Sequence, residues 1–278
     1  MINSLEAELG SPLLVHNRRP LQTTSFGDQA YEMAKALLAQ HAQMLETLKG
    51  DKDRMEGLIT IAIPAGIGPL FVTPQLLEYQ QTFPKIEFEL ITLTSKADEV
   101  FVNHPEKVVH VSIGYGVPGT GDIVSRYSGR MEFIPCCAPS YIKKHGAISD
   151  PDQCNDLTGL SYTGGTRTRT QELQNNGVVR QLKWRKSLSF QSLSDLKNAC
   201  LLGAGIASDL PLIHCIDELE QGKLVNVLAG WKRPAAGCYL YSTRHFTEYR
   251  RVSTFLDWMA EKHRELLDQI DERFRKLA

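Results

Sequence analysis

From Leu58 onward, short runs rich in β-branched residues alternate with amphipathic segments, and this alternation constrains the fold more than any other feature of the sequence. Residues 58–63 (LITIAI), 86–93 and 108–113 (VVHVSI) have the composition of strands, and residues 70–82 have helical spacing. Strands joined by helical crossovers form a parallel sheet with helices on its faces. The sequence therefore predicts an α/β fold after residue 57.

The alternation continues in the second half of the chain. Residues 182–190 are predicted as a strand, and residues 192–202 as a helix that Ser192 opens with Asp195 three residues later. Segment 131–137 (MEFIPCC) resembles a strand but contains Pro135, which suits a strand that passes from one sheet to another rather than a central strand. A long helix is predicted over residues 252–277, and its last third is expected to stand clear of the core.

A separate helix is predicted before the α/β region. Thr24 or Ser25 can cap it, and apolar residues then recur every three to four positions as far as Leu48. A helix of this length with such a seam favours pairing with another helix, and the alternative is packing against the body of its own chain. Residues 50–57 (GDKDRMEG) are charged and bounded by glycines, which is typical of a hinge.

The first 23 residues are too few to form a core by themselves. Ile2, Leu5 and Leu9 share one helix face that stops at Gly10, and an irregular stretch follows. We therefore expect that a segment preceding Met1 is missing. Arg18 and Arg19 lie on this stretch among other polar donors, and a phosphate contact and a solvated turn are equally good interpretations.

Composition restricts the remaining classes of protein. A formal net charge of −1 provides no overall field for nucleic acid or membranes, so such contacts would need a local patch. The six cysteines lack a CxxC pair and are predicted to be reduced core residues.

Residues 57–77 carry no charge, but three prolines argue against a membrane span. The first ten residues do not resemble a signal peptide, which favours the cytoplasm.

Motifs for catalysis or cofactors are not found. Gly114, Gly116 and Gly119 match a dinucleotide fingerprint, but Pro118 and a second extended stretch follow where a helix is needed. The eight histidines show no metal-ligand spacing. A triad of distant residues stays open in principle, but nothing nominates one. We predict no enzymatic activity, no cofactor and no metal.

Four segments, in this order, resemble LysR-type transcriptional regulators. Residues 4–27 (SLEAELGSPLLVHNRRPLQTTSFG) are similar to the end of that family's winged helix-turn-helix. Thr82-Phe83-Pro84, residues 203–211 (GAGIASDLP) and residues 222–231 (GKLVNVLAGW) resemble landmarks of its effector domain. The family commonly has Phe at Leu14, Arg at His16, Leu at Thr23 and Ala at Phe26, so the match is loosened there.

The resemblance implies two Rossmann-like α/β lobes of the periplasmic-binding-protein type (type 2), preceded by a long linker helix and a remnant of a winged helix-turn-helix. The expected segments are the remnant at 1–23, a linker and dimerisation helix at 24–50 and a hinge at 51–57. Regulatory subdomain I would comprise 58–135 and 238–270, subdomain II 136–237, and a C-terminal helix extension 271–278.

Site residues follow from the same resemblance. A ligand is expected in the cleft between the lobes, where strand ends meet helix N-termini. The implied effector-binding residues are Pro64, Ala65, Gly66, Ile67, Tyr115, Tyr162, Thr163, Gly164 and Ser192, with Tyr115 on the rim. Many relatives carry a hydroxyl residue near Ala65–Ile67, and its absence here puts the usual carboxylate contact in doubt. Arg167 and Arg169 offer another partner for an anion, although solvated residues on a polar loop (TRTRT) are the favoured interpretation.

The expected function is that of a cytoplasmic LysR-type regulator that senses a small, anionic metabolite. It would pair as a homodimer through the helix from Thr24 to Leu48, or as a tetramer, and would contact DNA through Asn3, Arg18 and Arg19. Because reading residues would precede Met1, specific DNA binding is expected to be impaired. The alternative is a stand-alone small-molecule-binding protein of the same fold without DNA binding.

Overall fold

The computed structural model describes residues 2–15, 22–49, 52–93, 96–103, 108–116 and 121–277. The chain divides into two compact units. One comprises Met1–Asp51 with Phe101–Val109, and the other comprises Lys52–Val100 with His110–Ala278.

The N-terminal segment of the first unit contains two helices and a short hairpin. Helix α1 spans Ile2–Leu9, strands β1 (Leu14–Val15) and β2 (Gln22–Thr23) pair in antiparallel fashion, and helix α2 spans Ser25–Lys49. The hydroxyl of Thr24 accepts a hydrogen bond from the Gly27 amide at 2.9 Å, so the predicted cap is confirmed. Part of the stretch predicted to be irregular is thus paired strand.

The second unit contains two mixed five-stranded sheets with helices between the strands, as the predicted fold class requires. In the first sheet, β3 (Gly57–Pro64), β4 (Ile86–Leu93) and β5 (Val111–Tyr115) are parallel. Strand β14 (Ala236–Thr243) pairs antiparallel with β5, and β6 (Ile123–Met131) pairs antiparallel with β14 at the sheet edge. We call the part built on this sheet the first lobe. Its elements are β3 (Gly57–Pro64), a π-helical turn (Gly68–Val72), α3 (Thr73–Thr82), β4 (Ile86–Leu93), β5 (Val111–Tyr115), β6 (Ile123–Met131), β14 (Ala236–Thr243), α8 (Arg244–Thr247) and α9 (Arg250–Arg275). A short helix, α4 (Val100–Asn103), spans the boundary between the two units.

The second sheet has the strand order β11-β8-β12-β7-β13 and forms the second lobe. Strand β12 is parallel to β8 and antiparallel to β7, and its register with β7 shifts opposite Pro135. The elements are β7 (Phe133–Cys137), α5 (Pro139–His145), a 3-10 turn (Pro151–Asp156), β8 (Thr158–Tyr162), a hairpin of β9 (Glu172–Asn175) and β10 (Val178–Gln181), β11 (Lys186–Phe190), α6 (Leu193–Leu201), β12 (Ile206–Pro211), α7 (Leu212–Glu220) and β13 (Val225–Asn226).

Two connections join the lobes. Glu132 alone separates β6 in the first sheet from β7 in the second, and residues 227–235 lead from β13 back to β14. The predicted passage of segment 131–137 between sheets is therefore confirmed. The expectation that its strand is not central is wrong, because β7 has neighbours on both sides. Pro135 lies at the register shift between β7 and β12, where a strand tolerates the missing N–H, and its carbonyl accepts a bond from the Val227 amide at 3.0 Å.

The C-terminal helix packs along most of its length. Phe255, Leu256 and Met259 are fully buried, and Ile270 near its end is 4% exposed. Arg273 donates to Asp217 and Glu220 of α7 at 2.5 and 2.7 Å. The prediction that the last third stands clear of the core is wrong, because its apolar stripe and this ion pair hold it against the second lobe.

The predicted state of the cysteines is confirmed, since all six are free and buried. The uncharged stretch 57–77 forms β3, the π-helical turn and the start of α3. In the described residues, no helix combines the length and the apolarity that a bilayer crossing requires.

Candidate functional site

The loop after β3 reaches from the first lobe to the second. Gly66 has φ +98°, a conformation that favours glycine. A Cβ added to it would lie 3.1 Å from Cε1 of His214 in α7 and 3.4 Å from the hydroxyl of Ser194 in α6. Of the predicted residues Pro64 to Ile67, Gly66 is thus brought close to two helices of the other lobe. We call the region where this loop faces α6 and α7 the interlobe cleft.

Ser192 lies at the N-terminus of α6, as predicted. Its hydroxyl accepts a hydrogen bond from the Asp195 amide at 3.3 Å and so caps the helix. Ser194, the second residue of the helix, is the exposed hydroxyl beside Gly66. A hydroxyl of the second lobe therefore lies near Gly66, in a loop whose residues 65–67 carry none.

The loop after β8 folds over the ring of Tyr162. The Tyr162 hydroxyl lies 2.8 Å from the Thr166 hydroxyl, and the Thr163 amide donates to the Phe190 carbonyl at 2.8 Å. A Cβ on Gly164 would fall 2.1 Å from the Tyr162 hydroxyl, so only glycine fits there. Tyr162 is 4% exposed, whereas Thr163 is exposed.

Tyr115 ends β5 and is half-buried. Its ring centroid is 6.2 Å from that of Phe133 in the second lobe, and burial is the main cause that raises the pKa of its hydroxyl. Tyr115 lies between the lobes, with Tyr162, Arg167 and Arg233 close enough to act on its charge.

A buried ionic cluster stands beside these aromatic residues, and we call Arg167, Asp209 and Arg233 the Arg-Asp-Arg cluster. The Arg167 and Asp209 side chains form an ion pair and are each 3% exposed. Arg233 approaches the same carboxylate at 3.5 Å and is 18% exposed. The Thr170 hydroxyl donates to it at 2.6 Å. Two cations thus share one carboxylate in a poorly hydrated place.

Aromatic rings surround both guanidinium groups. The Arg167 guanidinium lies 4.7 Å from the Tyr162 ring centroid and 5.2 Å from that of Phe133. The Arg233 guanidinium lies 5.1 Å from the same Phe133 ring centroid. Such cation–π contacts stabilise the charges, but they do not cancel them.

The cluster keeps an excess positive charge. The pKa of the Arg233 guanidinium is lowered by burial first and by Arg167 second. Nε of Arg167 is buried, and it has no hydrogen-bond partner within the described part of the chain. An additional anion would relieve the repulsion between the guanidinium groups and could accept a hydrogen bond from Nε of Arg167.

A cavity of about 590 Å³ opens beside Arg233. Its wall consists of Arg233 with residues 168–172 and 234–236, so it is bounded by the loop that carries Arg167 and by the second connection between the lobes. The volume lies within the usual range of small-molecule sites.

His214 adds a neutral polar group to the interlobe cleft. It is 3% exposed, and its Nε2 has no partner in the part of the chain that is described. Burial, followed by the charges of Lys197 and Arg167, lowers its pKa to about 4. The imidazole is therefore uncharged at neutral pH.

Sequence reasoning identified only part of this site. The interpretation of Arg169 as solvated is confirmed, because it is exposed and contacts Ser187 at 3.1 Å. The same interpretation is wrong for Arg167, which is buried against Asp209. Asp209 lies within residues 203–211, which carry part of the family resemblance. A charged residue in an otherwise apolar segment was the signal that could have identified it as a site residue. Arg233 had no local signal.

The predicted DNA-contacting residues belong to the first unit. Asn3 lies on α1 and is exposed. Arg18 and Arg19 lie outside the described residues. Helix α2 presents an apolar surface without cover, because Met33 is 74%, Leu37 67% and Leu38 63% exposed.

Comparison with known proteins gives one consistent family. Residues 52–264 match the family described as the LysR substrate binding domain. The chain is 28% identical over 269 residues to YhjC, an uncharacterized HTH-type transcriptional regulator of Escherichia coli, covering 96% of this chain and 88% of that protein. It is 24% identical to the HTH-type transcriptional regulator PtxR of Pseudomonas aeruginosa, covering 94% and 81%.

Solved structures agree on the fold. The full-length virulence activator AphB of Vibrio cholerae superposes with a TM-score of 0.66 at 22% identity, covering 93% of this chain and 86% of AphB. CrgA of Neisseria meningitidis, a LysR-type transcriptional regulator, gives a TM-score of 0.63 at 20% identity, covering 94% and 87%.

Proposed function

The chain belongs to the LysR family of transcriptional regulators with an effector-binding domain, and from this premise we propose that it senses a small organic anion at the Arg-Asp-Arg cluster. The observation that supports this proposal is the unequal charge of the cluster. Arg167 and Arg233 share a single carboxylate, Asp209, beside a cavity of suitable size.

A carboxylate is the ligand group that this geometry favours. Guanidinium groups donate two parallel hydrogen bonds to a carboxylate, and the low dielectric of a buried site strengthens them. Arg233 is the more accessible cation, and the hydroxyls of Thr168 and Thr170 lie next to it at 3.5 and 2.8 Å. We place the anionic group of the effector at these three side chains.

The rest of the effector would extend into the interlobe cleft. Pro64, Ala65, Gly66 and Ile67 would contact it from the first lobe, and Thr163, Gly164 and Ser192 from the second. Tyr115 and Tyr162 would form the apolar wall beside the cluster. The neutral imidazole of His214 offers either a donor or an acceptor in its tautomers, which suits a hydroxyl or carbonyl group on the effector.

Regulation would follow from the movement of the lobes. Gly66 faces His214 and Ser194 across the cleft with no room for a side chain, so an effector there would change how closely the two lobes approach. Such a ligand shifts the conformational equilibrium only by its difference in affinity for the two states. We propose that closure repositions α2 in a homodimer or tetramer and, through it, Asn3, Arg18 and Arg19 on DNA.

The exposed apolar face of α2 favours this function over a stand-alone binding protein. Leu37 and Leu38 are more than 60% exposed, which is costly on a helix without a partner. A second copy of the same helix would cover this face in a homodimer. A stand-alone binding protein has no use for such a face.

Isothermal titration calorimetry with a panel of mono- and dicarboxylates tests the anion site. Arg233→Gln should weaken binding of the best carboxylate by about tenfold or more, since one charge-assisted interaction is worth about 1.4 kcal/mol or more. Arg180→Gln is the matched control, because Arg180 lies on β10 of the same lobe, is exposed and does not line the cavity. Equal effects of the two variants, or no binding of any anion, would contradict the proposal.

A further inference from the structure

A second cavity of about 350 Å³ lies where the two lobes are joined, and we call it the hinge pocket. Glu132 of the first connection and residues 230–232 of the second connection form one side. Asp271, Phe274 and Arg275, in the last turns of α9, form the other side. None of the residues of the Arg-Asp-Arg cluster lines it, so it is a separate site.

The walls of the hinge pocket are suited to a flat apolar group. Trp231 and Phe274 contribute aromatic rings that are only partly covered, and Ile134 and Pro135 form the adjoining apolar surface. Trp231 is fixed in place because it also packs against the buried core of the second lobe. Aromatic rings of this kind offer both apolar contact and a negative face that attracts cations.

The two carboxylates in the pocket differ in their partners. Both oxygens of Glu132 are engaged, one by Lys232 at 2.8 Å and the other by Arg130 at 3.1 Å. Asp271 is only partly exposed, and within the described residues it makes no hydrogen bond or ion pair. Asp271 is therefore the available anionic group of the pocket.

The surroundings of Asp271 disfavour its negative charge. Burial is the first cause that raises its pKa, and Glu132 is the second, and together they outweigh Arg275 and Arg130. Arg275 and Lys232 line the pocket, but within the described residues neither pairs with Asp271, and the nearby arginines do not offset the cost of its negative charge. A cation bound directly against Asp271 would offset it.

We propose that the hinge pocket binds a small organic cation with a flat apolar body, of the arylalkylamine class, whose ammonium group pairs with Asp271 while its ring packs between Trp231 and Phe274. The volume accommodates a single ring with a short amine chain. Because the ligand would touch both connections and α9 at once, it would favour one angle between the lobes. It would therefore act on the same equilibrium as a ligand in the interlobe cleft.

Three compounds of similar shape separate charge from apolar contact in the full chain: 2-phenylethylamine, 2-phenylethanol and 3-phenylpropionate. Binding is followed by calorimetry and by the change in tryptophan fluorescence that a ligand at Trp231 produces. The amine should bind at least about tenfold more tightly than the alcohol, which corresponds to one charge-assisted contact of about 1.4 kcal/mol. The carboxylate is compared in the Arg233→Gln variant, in which the anion site is weakened, and by the fluorescence of Trp231 it should bind at the hinge pocket no better than the alcohol.

Two variants locate the site. Asp271→Asn should weaken the amine about tenfold and leave the alcohol unchanged, whereas Asp268→Asn, an exposed carboxylate one turn earlier, should leave both unchanged. Thermal unfolding of each variant shows that it is folded. Equal affinity for amine and alcohol, no saturable amine binding at millimolar concentration, or equal effects of the two variants would overturn the proposal. Because the Arg233→Gln variant should bind the amine normally, failure of this site is distinguishable from failure of the anion site.

Discussion

Arg167 and Asp209 form an ion pair in which each side chain is only 3% exposed, at a point where β12 faces the loop after β8. Nε of this same arginine has no partner in the described part of the chain. The two charges of the pair thus balance, but one hydrogen-bond donor of Arg167 is not satisfied by them. This combination is stable in a folded protein only when the surrounding structure holds both groups.

Removing the carboxylate should be strongly destabilising. Asp209→Asn leaves Arg167 and Arg233 without a counter-ion, and we expect the free energy of unfolding in urea to fall by about 3–5 kcal/mol. The matched control is Asp257→Asn, which breaks the exposed pair with Arg126, where the side chains are 59% and 40% exposed. That change should cost less than about 1 kcal/mol. Similar losses in both variants would contradict the role of burial.

Two buried histidines should make the protein less stable in mild acid. Burial lowers the pKa of His214 and of His263 from 6.5 to about 4, so below pH 6.5 the unfolded chain binds protons that the folded chain does not. Above pH 6.5 both histidines are neutral in the folded and in the unfolded chain, so they do not reduce stability. As the pH falls from 6.5 toward 4 the unfolded chain gains protons first, and the free energy of unfolding falls. Between pH 7 and 5 each histidine should account for roughly 1–2 kcal/mol.

Urea unfolding at both pH values measures this effect. His214→Gln should reduce the difference in unfolding free energy between pH 7 and 5, because glutamine does not titrate. His145→Gln serves as the control, since His145 is exposed. An unchanged pH dependence in the His214 variant would mean that its imidazole is hydrated in solution.

The apolar face of α2 should control the oligomeric state. The double substitution Leu37→Glu and Leu38→Glu places like charges on that face, and sedimentation velocity should then show a shift from dimer to monomer. Leu202→Glu is the control, because Leu202 is 85% exposed but lies in the second unit. A dimer that survives the double substitution would show that α2 is not the pairing surface.

Gly66 should be needed for close approach of the lobes. Gly66→Ala combines a strained φ of +98° with a contact to His214 at 3.1 Å, whereas Gly116→Ala has a similar φ of +91° and no atom within 4 Å. Both should lose about 1 kcal/mol of stability from backbone strain. Only the Gly66 variant should also lose affinity for a carboxylate and show a larger radius of gyration by X-ray scattering. Equal behaviour of the two variants would exclude a steric role in closure.

The cysteines should be unreactive in the folded protein. Burial raises the pKa of the Cys137, Cys154 and Cys238 thiols to about 12, so the thiolate that reacts with disulfide reagents is scarce at pH 8. Titration with Ellman's reagent should find almost no thiol in the native protein and all six after unfolding. Rapid labelling of a native thiol would indicate local opening around it.

The sequence by itself determined the features that depend on near neighbours. Ser192 and Asp195 are three residues apart, and the cap that they form was predicted correctly because its geometry is set within one helical turn. The alternation of strands and helices after residue 57 predicted the α/β class, and Pro135 marked the passage between two sheets. The predicted cleft residues Gly66, Tyr115, Tyr162 and Ser192 came from a family resemblance, and the sequence alone does not bring them together.

Only the tertiary structure decided which charges meet. Arg167 and Asp209 are 42 residues apart, and Arg233 contacts Thr168 across 65 residues, so no local pattern joins these groups. A polar loop such as TRTRT is predicted to be solvated from its composition, because composition and spacing do not show whether a side chain is buried. Whether an arginine there is exposed, as Arg169 is, or paired inside the protein, as Arg167 is, depends on how two lobes fold around the crossing strands.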